Sequence, residues 1–141
     1  MDVIEVPFNR FIGMERVAIA DEVLLKLSDS PHYKNHLGTV HAGAQFSLAE
    51  ACSGEFLLAH FQEEASSYLP VVRRVEIKYR KPATGEIYAK AQVSDDQFQK
   101  FLDTLHAKNR ALLLIDVDVL DSNNVVTMSA SIEWFVQKLN S

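Results

Sequence analysis

The segment from His41 to Phe61 constrains the fold most, because its apolar residues do not keep to one side of a helix. A helix that is apolar over most of its circumference has to be enclosed by other elements. We therefore predict a long enclosed helix that begins near His41 and continues to about His60. Its large side chains are expected to anchor the core, each stabilising the fold by roughly 1.5–3 kcal/mol when buried: Phe46, Leu48, Leu57 and Leu58.

Most of the remaining chain alternates between apolar and polar residues, as antiparallel strands with one buried face do. The last such segment ends a hairpin whose turn is Asp121-Ser122-Asn123-Asn124. Together with the central helix, these segments predict an α+β fold in which a curved antiparallel sheet of about five strands wraps around the helix. The strand-like segments are 16–28, 68–80, 86–93, 111–120 and 125–137.

Two further helices are predicted outside this plan. Pro7 and Gly13 bound a short helix at the start of the chain, with Phe8, Phe11 and Ile12 on one side. A capping-box spacing at Ser94 and Gln97 opens the second helix. Apolar residues then recur at helical intervals, so we predict an extra amphipathic helix over 95–107.

Length and charge narrow the classes of protein to which the chain can belong. At 141 residues, with a net charge of −5, it is expected to be one domain, 1–141, without a basic surface for nucleic acid. Its start lacks the pattern of a signal peptide, and no apolar run approaches the length of a membrane span. Cys52 is the only cysteine, which excludes a disulfide framework. These features predict a cytoplasmic protein with no membrane partner.

Polar residues with catalytic chemistry stand at the start and in the middle of the long helix. The loop from Asn35 to Gly43 contains two histidines and two glycines, and Glu50 follows within the apolar segment. A carboxylate in an apolar element is costly unless it is paired or functional. We therefore interpret Glu50 as a candidate catalytic acid or base.

Helical geometry separates His41 from Glu50. Nine steps along a helix advance about 13 Å and turn the side chain to the opposite side. The two residues then cannot act on one atom within one chain. Either they have separate roles, or a site is assembled from two chains of a dimer with two equivalent sites.

The loop and the acid together resemble a known signature. The run Gly38-Thr39-Val40-His41-Ala42-Gly43, preceded by Asn35 and followed by Leu48-Ala49-Glu50, is similar to that of acyl-CoA thioesterases of the phenylacetate-degradation (PaaI-like) type, which have the hot-dog fold. The segment 77–86 resembles their connection between the second and third strands. The similarity spans roughly residues 16–137.

The resemblance implies a site and a reaction. The family's helix carboxylate, here Glu50, attacks a thioester or activates water, and amides at the helix start, here Ala42 and Gly43, stabilise the oxyanion. Asn35 would orient water or the carboxylate, and His41 would lie near the thioester. The implied substrate is an acyl-CoA or an acyl-carrier thioester, hydrolysed in a homodimer or a dimer of dimers without a cofactor.

Basic residues offer a binding site for coenzyme A phosphates. Arg73, Arg80 and Lys81 belong to a basic set in an otherwise acidic chain, and phosphates favour Arg and Lys. A solvated sheet face is the alternative interpretation of this set.

The sequence departs from the family at two positions. Ala42 stands where many relatives have glycine, and Gly54 stands where several carry a hydroxyl four residues after the acid. These departures fit a non-catalytic acyl-CoA binding module as one alternative to the thioesterase. A hot-dog dehydratase that pairs His36 with Glu50 is another, although His36 lacks a following Phe-Pro-Gly run. His36 and His41 have no third convergent ligand, so no metal site is expected.

Overall fold

The computed structural model describes residues 1–17 and 23–140. Its helices are α1 (Pro7–Phe11), α2 (Ala42–Phe61) and α3 (Asp95–Lys108), and its strands are β1 (Glu15–Arg16), β2 (Val23–Leu27), β3 (Tyr68–Tyr79), β4 (Ile87–Gln92), β5 (Arg110–Leu120) and β6 (Val126–Lys138). Short 3₁₀ turns span Val3–Glu5, Pro31–Tyr33 and Gln62–Ser67.

The strands form one antiparallel sheet in the order β1-β2-β4-β5-β6-β3. Along β5 and β6, buried and more exposed residues alternate, and the buried side faces α2. Their hairpin turn is closed by Asp121, whose Oδ1 accepts from the N–H groups of Asn123 and Val125. This arrangement confirms the predicted hot-dog fold. The sheet has six strands rather than about five because the two-residue β1 pairs with β2.

The long helix is enclosed less completely than its composition predicts. Leu48 and Leu57 are fully buried, as expected of core anchors. Phe46 and Leu58 are only half-buried, as is Glu50 between them. The expectation of a helix enclosed all round was therefore wrong on this flank, since the sheet covers the opposite side of α2 and leaves an opening here.

The short N-terminal helix forms where Pro7 and Gly13 predict it, and Gly13 adopts the positive φ of +78° that ends it. Its aromatic side is not a core face, because Phe8 is 58% exposed and Phe11 is 87% exposed. The buried side chain of α1 is instead Asn9, whose Nδ2 donates to the Val3 carbonyl at 2.9 Å.

The extra helix predicted over 95–107 is α3. Ser94 caps it by accepting from the Gln97 N–H, which confirms the capping interaction, and Asn109 ends it in the left-handed conformation. Phe101 and Leu105 are buried against the sheet.

Only part of the first predicted strand can be compared. Within 16–28, Leu25 and Leu27 are fully buried on β2, in agreement with the alternation. The expectation that one strand begins at Arg16 was wrong, because Arg16 belongs to β1 and pairs antiparallel with Leu25 of β2. Residues 18–22 of that prediction lie outside the described residues. In the described ranges, no helix combines the length and apolar character needed to cross a bilayer.

Candidate active site

Glu50 lines an apolar cleft on the open flank of α2. The cleft has a volume of ≈ 410 Å³, which is in the range of small-molecule sites. Its walls come from α2, from Pro70 to Val72 of β3, from Trp134 of β6 and from the N-terminal segment. Among the described lining residues, Glu50 alone has an ionisable side chain.

Burial raises the pKa of the Glu50 carboxyl above its ordinary value. No charge or hydrogen-bond donor in the described part of the chain offsets this effect. A carboxyl group held this way in an apolar cleft is a stronger base than a solvated glutamate once it is ionised. The pattern is typical of functional carboxylates.

A pair of buried side chains fixes the turn of α2 that carries Glu50. Ser53 Oγ donates to the Glu50 carbonyl at 2.7 Å and accepts from Trp134 Nε1 at 2.8 Å. The indole of Trp134 thereby keeps one position relative to the backbone of Glu50. Ser53 was not among the candidate residues, and its partner Trp134 comes from a strand 81 residues away along the chain.

Gly54 packs against the same indole. A Cβ added at this glycine would lie 3.5 Å from the Trp134 ring, in ordinary van der Waals contact. The absence of a hydroxyl four residues after Glu50 therefore coincides with a tryptophan that occupies the adjacent space.

The start of α2 presents one free backbone amide of the two expected. His41 is the N-cap, and its Nδ1 accepts from the Gly43 N–H at 2.8 Å, so the neutral ring carries its proton on Nε2. The Gly43 amide is therefore occupied. Among the described residues, no acceptor binds the exposed Ala42 N–H. Ala42 is the donor that remains available to a ligand.

Tyr79 and Tyr33 hold the helix start in place. The Tyr79 hydroxyl donates to the Ala42 carbonyl at 3.1 Å, which ties the last residue of β3 to the first turn of α2. The His41 N–H donates to the Tyr33 carbonyl at 2.6 Å. Residue spacing did not indicate the Tyr79 contact, which joins positions 37 residues apart, whereas the Tyr33 contact lies within the loop that leads into α2.

Asn35 organises the loop before the helix. Its Oδ1 accepts from the N–H groups of Leu37 and Thr39, at 2.9 and 3.1 Å, and its Nδ2 donates to Thr39 Oγ1 at 2.9 Å. These contacts form an Asx-type turn that Gly38 closes with a φ of +79°. Asn35 and the exposed His36 do not line the cleft of Glu50.

The basic candidates fall into two places. Arg80 and Lys81 directly follow Tyr79 along the chain, and Arg80 Nε donates to Ser129 Oγ at 2.9 Å. Ser129 lies on the face of β6 that points away from α2 and also contacts Asp118, so the Arg80 side chain lies on that outer face of the sheet. Arg73 lies over the Phe135 ring, with its guanidinium carbon 5.9 Å from the ring centre. Arg73 and Arg80 are seven residues apart, a span of about 23 Å along an extended strand, so the two arginines lie in different parts of the sheet.

Within one chain, the predicted site residues therefore form two groups. Asn35, His41, Ala42 and Gly43 stand at the helix start, and Glu50 stands in the cleft. Eight helical steps from Ala42 to Glu50 advance about 12 Å along α2. The N-terminal segment and Trp134, which complete the cleft, were not among the candidates.

Comparison with known proteins identifies a family that matches this sequence and solved structures that share its fold. A family model, a domain of unknown function (DUF4442), matches residues 3–136. A Pseudomonas aeruginosa protein described as a probable thioesterase has a TM-score of 0.82 at 20% identity, covering 97% of this chain and 91% of its own. A Chlorobaculum tepidum protein of unknown function has a TM-score of 0.83 at 19% identity, covering 96% and 88%.

A more distant structure carries a ligand. A Bacillus halodurans protein solved with CoA has a TM-score of 0.68 at 17% identity, covering 92% of this chain and 74% of its own. No curated protein matches the sequence. At these identities the solved structures establish the shared fold, whereas the family match covers nearly the whole chain. The chain therefore belongs to the DUF4442 family, and its fold is the hot-dog fold that it shares with proteins described as thioesterases.

Proposed function

We propose that this protein is a thioesterase of the PaaI-like kind that hydrolyses an acyl-CoA or acyl-carrier thioester. The observation that carries the proposal is Glu50, a half-buried carboxylate without a described partner in an apolar cleft. Such a cleft suits an acyl group, and the carboxylate supplies the base or nucleophile that thioester hydrolysis needs. The thioesterase description of one structural neighbour and the CoA bound to another support this reaction class.

Each group has a role in the general-base form of the reaction. Glu50 accepts a proton from water while the water oxygen adds to the thioester carbonyl. The resulting oxyanion accepts a hydrogen bond from the Ala42 N–H, with His41 Nε2–H as a neighbouring donor. Collapse breaks the carbon–sulfur bond, and the proton held by Glu50 passes to the departing thiolate. Asn35 contributes through the loop that it folds in front of the helix.

In the nucleophilic form, Glu50 attacks the carbonyl itself. The thiolate leaves, and water then hydrolyses the mixed anhydride to the free acid and the carboxylate. Arg80 and Lys81, which follow the end of β3, are the residues proposed to bind coenzyme A phosphates. Arg73 is a second candidate, and its place over Phe135 would put it on another part of the ligand.

We propose that a second copy of the chain completes the site. Strand β3 is an edge of the sheet, with 12 residues and no described partner on its outer side. A long, unpaired edge is a template for pairing with another strand. A second β3, related by a twofold axis, would extend the sheet antiparallel and satisfy both edges.

This pairing would bring the two groups of candidates together. The first half of β3 borders the cleft of Glu50 at Val71 and Val72, and its last residue, Tyr79, contacts the helix start. Antiparallel pairing sets the first half of one strand against the second half of the other. Glu50 of one chain would then face Ala42 of its partner.

Mixing two inactive variants tests this shared site. Glu50→Gln and Ala42→Pro each remove one half of it, so a heterodimer keeps one intact site of two. Because random exchange makes half of the dimers mixed, we expect about one quarter of wild-type turnover in an equimolar mixture. As a control, each variant is taken through the same subunit exchange alone. An inactive mixture whose heterodimers are demonstrated by native mass spectrometry would place the whole site in one chain.

The pH dependence of turnover follows from the environment of Glu50. The ionised carboxylate is the active form, and burial raises the pKa of this group. Activity should therefore fall as pH decreases through that raised pKa, at a higher pH than an ordinary glutamate would give. The measurement is kcat/KM against pH with one acyl-CoA. A rate that stays constant down to the pKa of an ordinary glutamate contradicts the assignment.

The reaction class is tested by measuring thiol release from short, long and aromatic acyl-CoAs. The same protein is given an enoyl-CoA and a 3-hydroxyacyl-CoA, and the enoyl absorbance is followed. Release of thiol with unchanged enoyl absorbance supports the thioesterase. A change in enoyl absorbance without thiol release identifies a dehydratase, and CoA binding without either reaction identifies a binding module.

A further inference from the structure

The cleft beside Glu50 is closed on one side by the start of the chain. We call residues 1–9 the wall segment. It contributes Met1, Val3, Val6, Phe8 and Asn9 to the lining. Val3 is only 5% exposed, and Asn9 holds the segment's fold through its hydrogen bond to the Val3 carbonyl. The wall segment is thus a folded part of the cleft.

An arginine fixes the wall segment to the helix that carries Glu50. Arg16 binds Glu55 of α2 through two contacts, at 2.8 and 3.1 Å, and it binds Asp2 of the wall segment at 2.6 Å. Glu55 lies five residues after Glu50 on α2. The two carboxylates in turn raise the pKa of the Arg16 guanidinium, which stays charged. Arg16 therefore links the wall segment to α2.

The wall segment also faces the deep part of the cleft. From Glu50, the lining continues along α2 through Ala51, Gly54 and Leu57 to Leu58. These eight steps advance about 12 Å along the helix axis, past apolar side chains only. A chain of methylene groups extending along this wall from a thioester at Glu50 would pass Gly54, beside which Val3 lies, and Val6 belongs to the same lining.

We propose that the wall segment determines which acyl group the protein accepts, with Val6 as a specificity residue and Arg16 as the residue that positions the segment. The substrate class is a straight apolar acyl group of medium length, from hexanoyl to decanoyl. This inference rests on the proposed thioesterase function. Polar or charged acyl groups are disfavoured because the described lining has only Glu50, Asn9 and Trp134 as hydrogen-bonding side chains, and the N–H groups of Asn9 and Trp134 already bind the Val3 carbonyl and Ser53 Oγ.

Substitutions of opposite size at Val6 test the proposal. Val6→Phe fills the cleft and should move the preferred chain toward butyryl, while Val6→Ala should move it toward longer chains. In Val6→Phe, two or three methylene groups of a decanoyl chain would no longer be buried. The ratio of kcat/KM for decanoyl-CoA to kcat/KM for butyryl-CoA should therefore fall by at least about tenfold. Val125→Phe, in the β5–β6 hairpin and away from the cleft, is the matched control and should keep the wild-type ratio.

A pair of arginine variants tests the positioning role. Arg16→Gln removes the contacts to Asp2 and Glu55, so the preference among chain lengths should become flatter, through KM more than kcat. Arg10→Gln removes an exposed arginine whose described ion pair is with Glu5, at 3.5 Å. The Arg10 variant should keep the wild-type profile. Equal profiles for both variants and the wild type would overturn the role of Arg16.

The same length series is measured by calorimetry with S-alkyl-CoA thioethers, which cannot be hydrolysed. Length-dependent binding that shifts at Val6 supports the proposal even if no thiol is released, so failure of the thioesterase function is recognised separately. Identical length profiles in folded Val6→Phe, Val6→Ala and wild type overturn it. Absence of thioether binding also overturns the proposal. So does a Val6→Phe variant in which only the oligomeric mass changes, because that result would mean that a second chain fills the cleft.

Discussion

Replacing Glu50 with glutamine is expected to lower the turnover of acyl-CoA by about 10²–10⁴-fold, the range for loss of a general base. The amide has the shape of the carboxyl group but cannot accept the proton from water or attack the thioester. Acyl-CoA affinity should stay close to that of the wild type, because the apolar lining of the cleft is unchanged. Steady-state thiol release and thioether binding measure the two effects.

The same variant should be more stable than the wild type at neutral pH. A carboxyl whose pKa is raised by folding stabilises the native state at low pH, and this contribution is lost as pH rises through the folded pKa. Glutamine does not ionise, so the variant does not lose this stability at neutral pH. The control is Glu64→Gln, an exposed position outside the cleft, which should change neither property. Wild-type turnover in Glu50→Gln would remove Glu50 from the chemistry.

Replacing Ala42 with proline is expected to lower kcat by about 10²–10³-fold, as loss of one oxyanion donor does in other enzymes. Proline deletes the free N–H and little else, because it is favoured at the first position of a helix. His41 already has the extended backbone, φ −60° and ψ 139°, that a residue before proline adopts. Turnover should therefore fall while the melting temperature is retained.

A second proline controls for this change. Asp95 occupies the first position of α3, after Ser94 with a φ of −64° and a ψ of 149°, so Asp95→Pro makes the same backbone substitution away from the site. Its kcat should equal that of the wild type. If Ala42→Pro is folded and as active as Asp95→Pro, the oxyanion is stabilised elsewhere. The Gly43 amide, released from His41 Nδ1, would be the next donor to test.

Local periodicity predicted the elements of this fold well. The helix expected from about His41 to His60 spans Ala42–Phe61, and the strand expected over 125–137 spans Val126–Lys138. Both segments are long; the helix is apolar over most of its circumference and the strand alternates between apolar and polar residues, so the local pattern specifies each of them. The short α1 shows the limit. Its aromatic residues suggested a core face, yet its buried residue is Asn9, since five residues are too few to define a stripe.

The candidate site was less predictable because its neighbours come from distant parts of the chain. Sequence reasoning found Glu50 from an acid in an apolar helix. It did not find Trp134, which reaches Glu50 through Ser53, or the wall segment, which is joined to α2 by Arg16. Nor did residue type show that His41 would accept from Gly43 and leave Ala42 as the free amide. The contacts of Trp134 and Arg16 depend on tertiary packing, which spacing along the sequence does not encode, whereas the His41 cap is local and depends on the orientation of the imidazole ring.

Single-turnover hydrolysis tests the central claim most directly. Protein in excess over one medium-chain acyl-CoA binds all of the thioester, and free thiol is then followed in time for the wild type and for Glu50→Gln. We expect the wild type to release one thiol for each thioester bound, and Glu50→Gln to bind the thioester and keep it intact. A wild type that also keeps the bound thioester intact, or a Glu50→Gln variant that releases thiol at the wild-type rate, would contradict a thioesterase that acts through Glu50.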